Sequence, residues 1–364
     1  MANNFDAARL ALRSLYPRND LLVDDKGLPS VMVYIPKFRL CDVLSTTDTS
    51  IHPAFIVNGK EIDGFYMGKY QSCVYNGVQY SLPGQIPATG VRVIEKINAA
   101  TRKGTGWHEV TLAEWAAVAL WSHKHGCEPK GNNDSGRDHA ETMYEADKYQ
   151  QTSTSGIVKT GTGPTSWSHN GQADGIWDMN GNAEAYVTGA RVVYGELQII
   201  ENNNAADSNC YHGEGSTAWK AIRASDGELI TPDGSGTTSG SIKFSYSSAR
   251  WTYSTTASNQ QKYSQDAMLG SGVYVDSAVC DKAKLLLRAM ALLPDWDVTG
   301  DGIDSDYGND RLSVVNGDSE RLLTCGGVYY MQDYTGLFNI SLTELRTAKD
   351  GLCGCRLAYI DLPE

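Results

Sequence analysis

The chain has 364 residues, 41% hydrophobic and 20% charged, enough to bury a sizeable core in one large domain or two ordinary ones. Its formal net charge of -12 repels phosphate backbones and argues against nucleic acid as a partner. Thirty-seven glycines, twenty tyrosines and eight tryptophans beside six phenylalanines describe a loop-rich chain with aromatics to spare for surfaces, a composition common in binding proteins.

Met1–Tyr16 lacks a basic segment followed by an uninterrupted apolar core, so it does not read as a secretory signal. Phe5, Ala8, Leu12 and Leu15 instead share one face of a short helix. No stretch reaches the length of a membrane span, so no membrane insertion is expected. The expectation is cytoplasmic synthesis without a signal peptide, followed by residence in the cytosol or by release on a virion or cell-surface assembly. Val31–Phe38 (VMVYIPKF) reads as a strand closed by Pro36, and Gly64–Tyr70 (GFYMGKY) as a second. Val110–Ser122 is the clearest helix: Thr111 and Glu114 have capping-box spacing, and Trp115, Val118 and Ala119 form an apolar stripe. Lys130–Asp138 is a loop, and Gly175–Tyr186 contains a tight turn at Asn180-Gly181. Residues 205–261, rich in Ser, Thr, Gly and Asn, read as an insertion or hairpin. Trp219, Phe244 and Trp251 recur in it, with a strand-like piece at Ile242–Tyr246. Lys282–Leu293 is a second helix stopped by Pro294. With no repeat and no linker, the chain reads as an N-terminal helical segment (1–28) and one α+β domain (29–364).

Isolated chemical signals are weak. Eight cysteines (Cys41, Cys73, Cys127, Cys210, Cys280, Cys325, Cys353, Cys355) show no zinc-site spacing, and Cys353-x-Cys355 is the one close pair. They are expected to be mostly free, buried thiols. In Asp295–Asp306 (DWDVTGDGIDSD), Asp297, Thr299 and Asp301 have the one-three-five spacing of a calcium loop, with Gly302 at the sharp turn. The twelfth position is Gly308, so the bidentate glutamate is missing, and an acidic surface turn is the first reading with calcium the alternative. His123 and His125 read as solvated, and His108 and His169 have no carboxylate or cysteine partner by spacing. There is no G-x-S-x-G nucleophile elbow. The glycines at 104, 106, 161 and 163 are not followed by Lys-Ser/Thr, so they do not form a phosphate cradle. Trp107, Trp115, Trp121 and Trp177 read as core aromatics.

Near the C-terminus, Phe338, Ile340 and Leu342 alternate with Asn339, Ser341 and Thr343. A strand of period two buries the first set and exposes the second. Tyr329 alternates likewise with Val328 and Tyr330. The outward set is expected to be Val328, Tyr330, Met331, Asp333, Tyr334, Asn339, Ser341, Thr343, Glu344, Thr347, Lys349 and Leu352. Alternation alone is equally the mark of an ordinary half-buried strand followed by a polar loop.

Several segments, taken in order, carry a family resemblance: Ile35-Pro36-x-Phe38, GFYMGKY, Thr111–Trp115 (TLAEW), Gly175–Ala183 (GIWDMNGNA), and a terminal set of Gly326, Gly327, Gly354, Arg356 and Ala358. Together they resemble the formylglycine-generating-enzyme branch of the C-type lectin fold. The resemblance implies an α+β, loop-rich single domain with insertions (about 205–261). The branch's oxidases place two copper-binding cysteines shortly after the terminal Gly-Gly; here those positions hold Met331 and Gly336, and soft thiolates for Cu(I) are lost. The branch also carries a calcium site at the Asn-Gly turn. Asp178, Gly181 and Ala183 match it, but Ala185 stands at its carboxylate position, so calcium there is not implied. Gly161–Pro164 (GTGP), His169-Asn170-Gly171, Gly189–Ile200 and Gly326–Arg346 (GGVYYMQDYTGLFNISLTELR) resemble the retroelement-diversified variable proteins of this branch, with Cys355 where an aromatic usually stands.

That resemblance implies a non-catalytic protein displaying diversified residues over about 326–356, binding an unknown protein or cell-surface ligand, and associated with phage or prophage. It requires no cofactor. Trimers in a phage tropism determinant of the class make a homo-oligomer a further expectation. The alternatives are a metal-dependent oxidase or sulfoxide-forming relative, and an invariant structural tail component.

Overall fold

The computed structural model describes residues 5–149, 156–295 and 309–362. It is mixed α+β, with two large sheets and a central buried helix. The N-terminal helix α1 (Asp6–Leu15) forms as its apolar spacing predicts, yet none of its residues is fully buried. Phe5 and Leu12 are half-buried, while Ala8 and Leu15 are exposed. The segment expected to be helical to residue 28 becomes a strand beyond this helix. β1 (Asn19–Val23) pairs antiparallel with β2 (Pro29–Pro36), so it belongs to the first sheet. The Arg9 guanidinium meets the buried Asp20 at 2.6 Å and ties helix to strand.

After the short helix α2 (Leu40–Val43) come two small hairpins, β3 (Ile56–Val57) with β4 (Lys60–Glu61), and β6 (Cys73–Tyr75) with β7 (Val78–Tyr80); β5 (Gly64–Gly68) lies between them in sequence. Helix α3 (Val93–Thr101) leads to β8 (Trp107–Glu109) and α4 (Leu112–Lys124). α4 starts where the capping box predicts: the Glu114 amide donates to the Thr111 hydroxyl and the Thr111 amide to the Glu114 carboxylate, both at 3.1 Å. This helix is apolar on nearly every face, with Leu112 through Leu120 all buried, which makes it a central pillar.

The second sheet is built from β9 (Glu184–Val193), β10 (Glu196–Ile200), β11 (Trp219–Ile222), β12 (Leu229–Ile230), β13 (Lys243–Ser247), β14 (Arg250–Ser254), β15 (Gln265–Met268), β16 (Val273–Val275), β17 (Arg311–Val314), β18 (Arg321–Cys325), β19 (Ile340–Glu344) and β20 (Cys353–Gly354). The 205–261 stretch supplies β11 to β14, which join the sheet through β10. Trp219, Phe244 and Trp251 are buried there, which explains why aromatics recur in so polar a stretch. Between β15 and β16 lies the single turn α5 (Leu269–Gly272), and α6 (Asp281–Ala289) precedes Pro294. β21 (Leu357–Tyr359) returns the chain to the first sheet, between β5 and β8, giving the order β1-β2-β5-β21-β8. One apolar cluster runs from Val33, Phe55 and Phe65 through α4 to Leu197, Phe244, Leu323, Phe338 and Leu342. The C-terminal segment is therefore anchored from both sheets. Among the described residues, no helix is long and apolar enough to cross a membrane.

Candidate functional site

The segment after β18 begins with a turn that only glycine suits. Gly326 and Gly327 have φ +90 and +66, and a Cβ on Gly326 would lie 2.8 Å from the Met179 carbonyl and 3.2 Å from the Trp115 ring. The Gly181 amide of the Asn-Gly turn donates to the Gly326 carbonyl at 2.7 Å, and the Gly326 amide to the Asn339 carbonyl at 3.1 Å. From there, residues 329–332 are bolted to the 132–135 loop and to Asn182 beside the Asn-Gly turn. The Ser135 amide donates to the Tyr329 carbonyl (2.7 Å), the Gln332 amide to the Asn133 carbonyl (2.9 Å) and the Tyr329 amide to the Asn182 carbonyl (3.2 Å). These bonds use the main chain. Side chains at 330, 331, 333 and 334 can change without removing them.

The Gly336–Phe338 turn is gripped from below. Trp115 Nε1 donates to the Leu337 carbonyl at 2.9 Å, and the Phe338 amide donates to Asp310 Oδ2 at 2.8 Å. Burial pushes the Asp310 carboxyl up to about 8, with Glu128 adding in the same direction. Gly336 is needed because a Cβ there would stand 2.3 Å from that carboxyl. The Phe338 ring, 2% exposed, meets His123 edge-on at 5.6 Å. β19 then alternates: Ile340 and Leu342 face inward and Ser341 and Thr343 are half-exposed, as expected, the two hydroxyls 2.7 Å apart.

Of the twelve expected outward residues, Tyr330 is 54% exposed, Thr347 and Lys349 are exposed, and Met331, Asp333, Tyr334, Ser341, Thr343 and Leu352 are half-buried. Asp333 accepts from Asn309 Nδ2 at 2.7 Å, and the Arg311 guanidinium lies 3.7 Å from the Tyr334 ring centroid. Three expectations are overturned. Val328, 4% exposed, faces inward because the Gly-Gly turn shifts the parity on which its alternation relied. Asn339, 3% exposed, precedes the strand and spends its side-chain amide on the Tyr334 carbonyl at 2.7 Å. Glu344, 7% exposed, is two residues from Leu342 and shares its inward face. The calcium-loop positions Asp297, Thr299 and Asp301 lie outside the described residues.

Sequence spacing also missed a group of carboxylates. Glu184 at the start of β9, Glu344 at the end of β19 and Asp350 in the following loop each bring an oxygen within 4.8 Å of the other two. Burial raises the Glu184 carboxyl to about 7 against the pull of the Thr324 hydroxyl, which donates to it at 2.8 Å, while Asp350 and Glu344 push it further up. Glu344 is raised in the same way, by burial first and by Asp350. The Tyr330 hydroxyl is raised by burial and then by the Glu184 charge, with Tyr329 and Asp350 adding to it. No local motif could have found them, because β18 separates β9 from β19 in the sheet.

Elsewhere, His108 has a carboxylate partner after all: its Nε2 lies 2.8 Å from Glu114 Oε1 across the turn from β8 to α4. His169 is buried, with Nδ1 accepting from the Ile176 amide, and burial lowers it to about 3. All eight cysteines are free. Cys325, Cys353 and Cys355 are buried, and burial raises each thiol above its usual range. Arg356 is fully buried, donating to the carbonyls of Gly68, Trp177 and Asp178 at 2.8 to 2.9 Å; it welds the end of the segment to the Asn-Gly turn region. Clefts of about 370 and 540 Å³ lie away from residues 326–356, one beside α1 and one on the 235–260 loops. No protein-family model and no curated protein matches the chain.

Proposed function

We propose that this chain is a non-catalytic ligand-binding protein that displays interchangeable side chains on a C-type lectin scaffold of the formylglycine-generating-enzyme type, carried on a phage or prophage particle. One observation carries the reading: between Gly326 and Leu352, the groups that fix the backbone and the groups that face solvent are different residues. Main-chain bonds, Gly326, Gly327, Leu337, Phe338, Asn339, Ile340 and Leu342 hold the segment. Tyr330, Met331, Asp333, Tyr334, Ser341, Thr343, Thr347, Lys349 and Leu352 reach solvent wholly or in part. Tyrosines among small polar neighbours give large contact area at low entropic cost. An open face, with the larger clefts elsewhere, suits a macromolecular ligand better than a small molecule.

The return of β21 to the N-terminal sheet and the Asn-Gly turn against Gly326 support the scaffold assignment. The oxidase alternative is disfavoured by donor chemistry, since Met331 and Gly336 occupy the expected copper positions and Gly336 has no side chain to offer. The coding DNA tests the reading. A near-copy of the Gly326–Arg356 segment, differing at adenines, should lie beside a reverse-transcriptase gene, and absence of both would remove the diversification claim. Stoichiometric copper in the purified protein, with oxygen uptake on a thiol substrate, would favour the enzyme instead.

A further inference from the structure

Glu344 is 7% exposed, and among the described residues no donor bonds its carboxylate. A buried carboxylate without a partner is costly, and this one faces two more: Glu184 across β18, and Asp350 on the loop that follows β19. The nearby cations are committed elsewhere. Lys96 donates to the Cys353 carbonyl at 2.9 Å and to its Sγ at 2.8 Å, and Arg321 donates to the Thr343 carbonyl at 2.6 Å and to Asp318. Asp350 Oδ1 accepts only the local Leu352 amide, at 2.7 Å. Oxygen atoms converge here with negative charge left over.

We propose that Glu184, Glu344 and Asp350 bind a calcium ion that staples the 345–352 loop to strands β9 and β19. The donors are all hard oxygens, which excludes metals that select sulfur or nitrogen. Calcium suits such a set better than magnesium, because it accepts a flexible shell of carboxylate and carbonyl oxygens, whereas magnesium demands a near-ideal octahedron and keeps several of its waters. The loop is tied at Arg346, whose guanidinium donates to Glu320 at 2.7 and 2.8 Å, and at the Asp350 carbonyl, which accepts the Gly90 amide at 2.7 Å; the ion would add a tie from the Asp350 side chain to both strands. The loop carries the exposed Thr347 and Lys349, so the ion would order that loop before any partner arrives. The site goes beyond the binding reading and does not rest on it, because ion binding is measured without any partner.

Calorimetric titration of calcium into the full chain, first stripped with a chelator, tests the proposal. The expected result is an isotherm with Kd on the order of 10⁻⁴ M, in the range of weak modules, and a Tm that rises with calcium. Glu344→Gln and Asp350→Asn should each abolish that isotherm and the Tm rise. The double variant Asp297→Asn, Asp301→Asn should keep both, which separates this site from the acidic 295–306 loop. Asp350 lies on a partly exposed loop, so its variant remains informative if Glu344→Gln folds poorly. Retention of the ion by Asp350→Asn or by a folded Glu344→Gln, its loss in the Asp297/Asp301 variant, or absence of binding at about 10⁻² M, well above the weakest calcium modules, would overturn the proposal.

Discussion

Replacing Phe338 by alanine and, separately, Tyr330 by alanine should have very different consequences, although the two residues lie in one segment. The Phe338 ring is 2% exposed, belongs to the main core and packs edge-on against His123. Truncating such a ring removes its transfer free energy and leaves a cavity that α4 and β19 cannot close, at a cost of about 3–5 kcal/mol. For a chain of 364 residues, an unfolding entropy of about 0.8 kcal/mol/K turns that loss into a fall in Tm of about 4–7 °C. Tyr330 is 54% exposed and its principal ring contact is an edge to Tyr329 at 5.1 Å. Its truncation should cost at most about 1 kcal/mol, or roughly 1 °C on the same conversion. Differential scanning calorimetry of both variants at one pH and one calcium concentration measures the contrast. Equal falls in Tm would refute the division of the segment into anchors and displayed groups.

Asp310 should make stability fall as pH rises. Its folded carboxyl is raised to about 8 from an ordinary value near 3.8, so the native state holds a proton that the unfolded chain releases. The contribution is complete below the unfolded value and is lost progressively up to the folded one. Asp310→Asn should lose that slope, gaining on the wild type between pH 5 and 8; parallel pH profiles would contradict the assignment. Trp115→Phe removes the donor to the buried Leu337 carbonyl and should cost about 1–3 kcal/mol in urea titration, where a neutral result would show the turn is held otherwise. Arg356→Lys cannot replace three carbonyl contacts made by one planar guanidinium and should cost about 3 kcal/mol or more, read from the same denaturation midpoints.

What was legible in the sequence was local. The α4 start follows from Thr111 and Glu114 because a capping box is complete within four residues. The inward faces of Ile340 and Leu342 follow from strand periodicity. Where the reading failed, the deciding neighbour was distant in the chain. Asn19–Val23 became a strand because β2 offers it an edge. Asn339 turned inward because the turn from 334 to 339 closes on its amide. Val328 lost its predicted parity to two glycines with positive φ, and Asp310, the buried support of the Phe338 amide, has no sequence mark beyond being an aspartate before a strand. Glu184, Glu344 and Asp350 meet across the sheet, in a register that no motif encodes.

The division between anchors and displayed groups is tested most directly by parallel randomisation. One library varies Tyr330, Met331, Asp333, Tyr334, Ser341, Thr343, Thr347, Lys349 and Leu352; the other varies Leu337, Phe338, Ile340 and Leu342. Each is scored for protease-resistant, folded protein on a display particle. The account predicts that most members of the first library stay folded and most of the second do not, and equal loss of folding in both would contradict it.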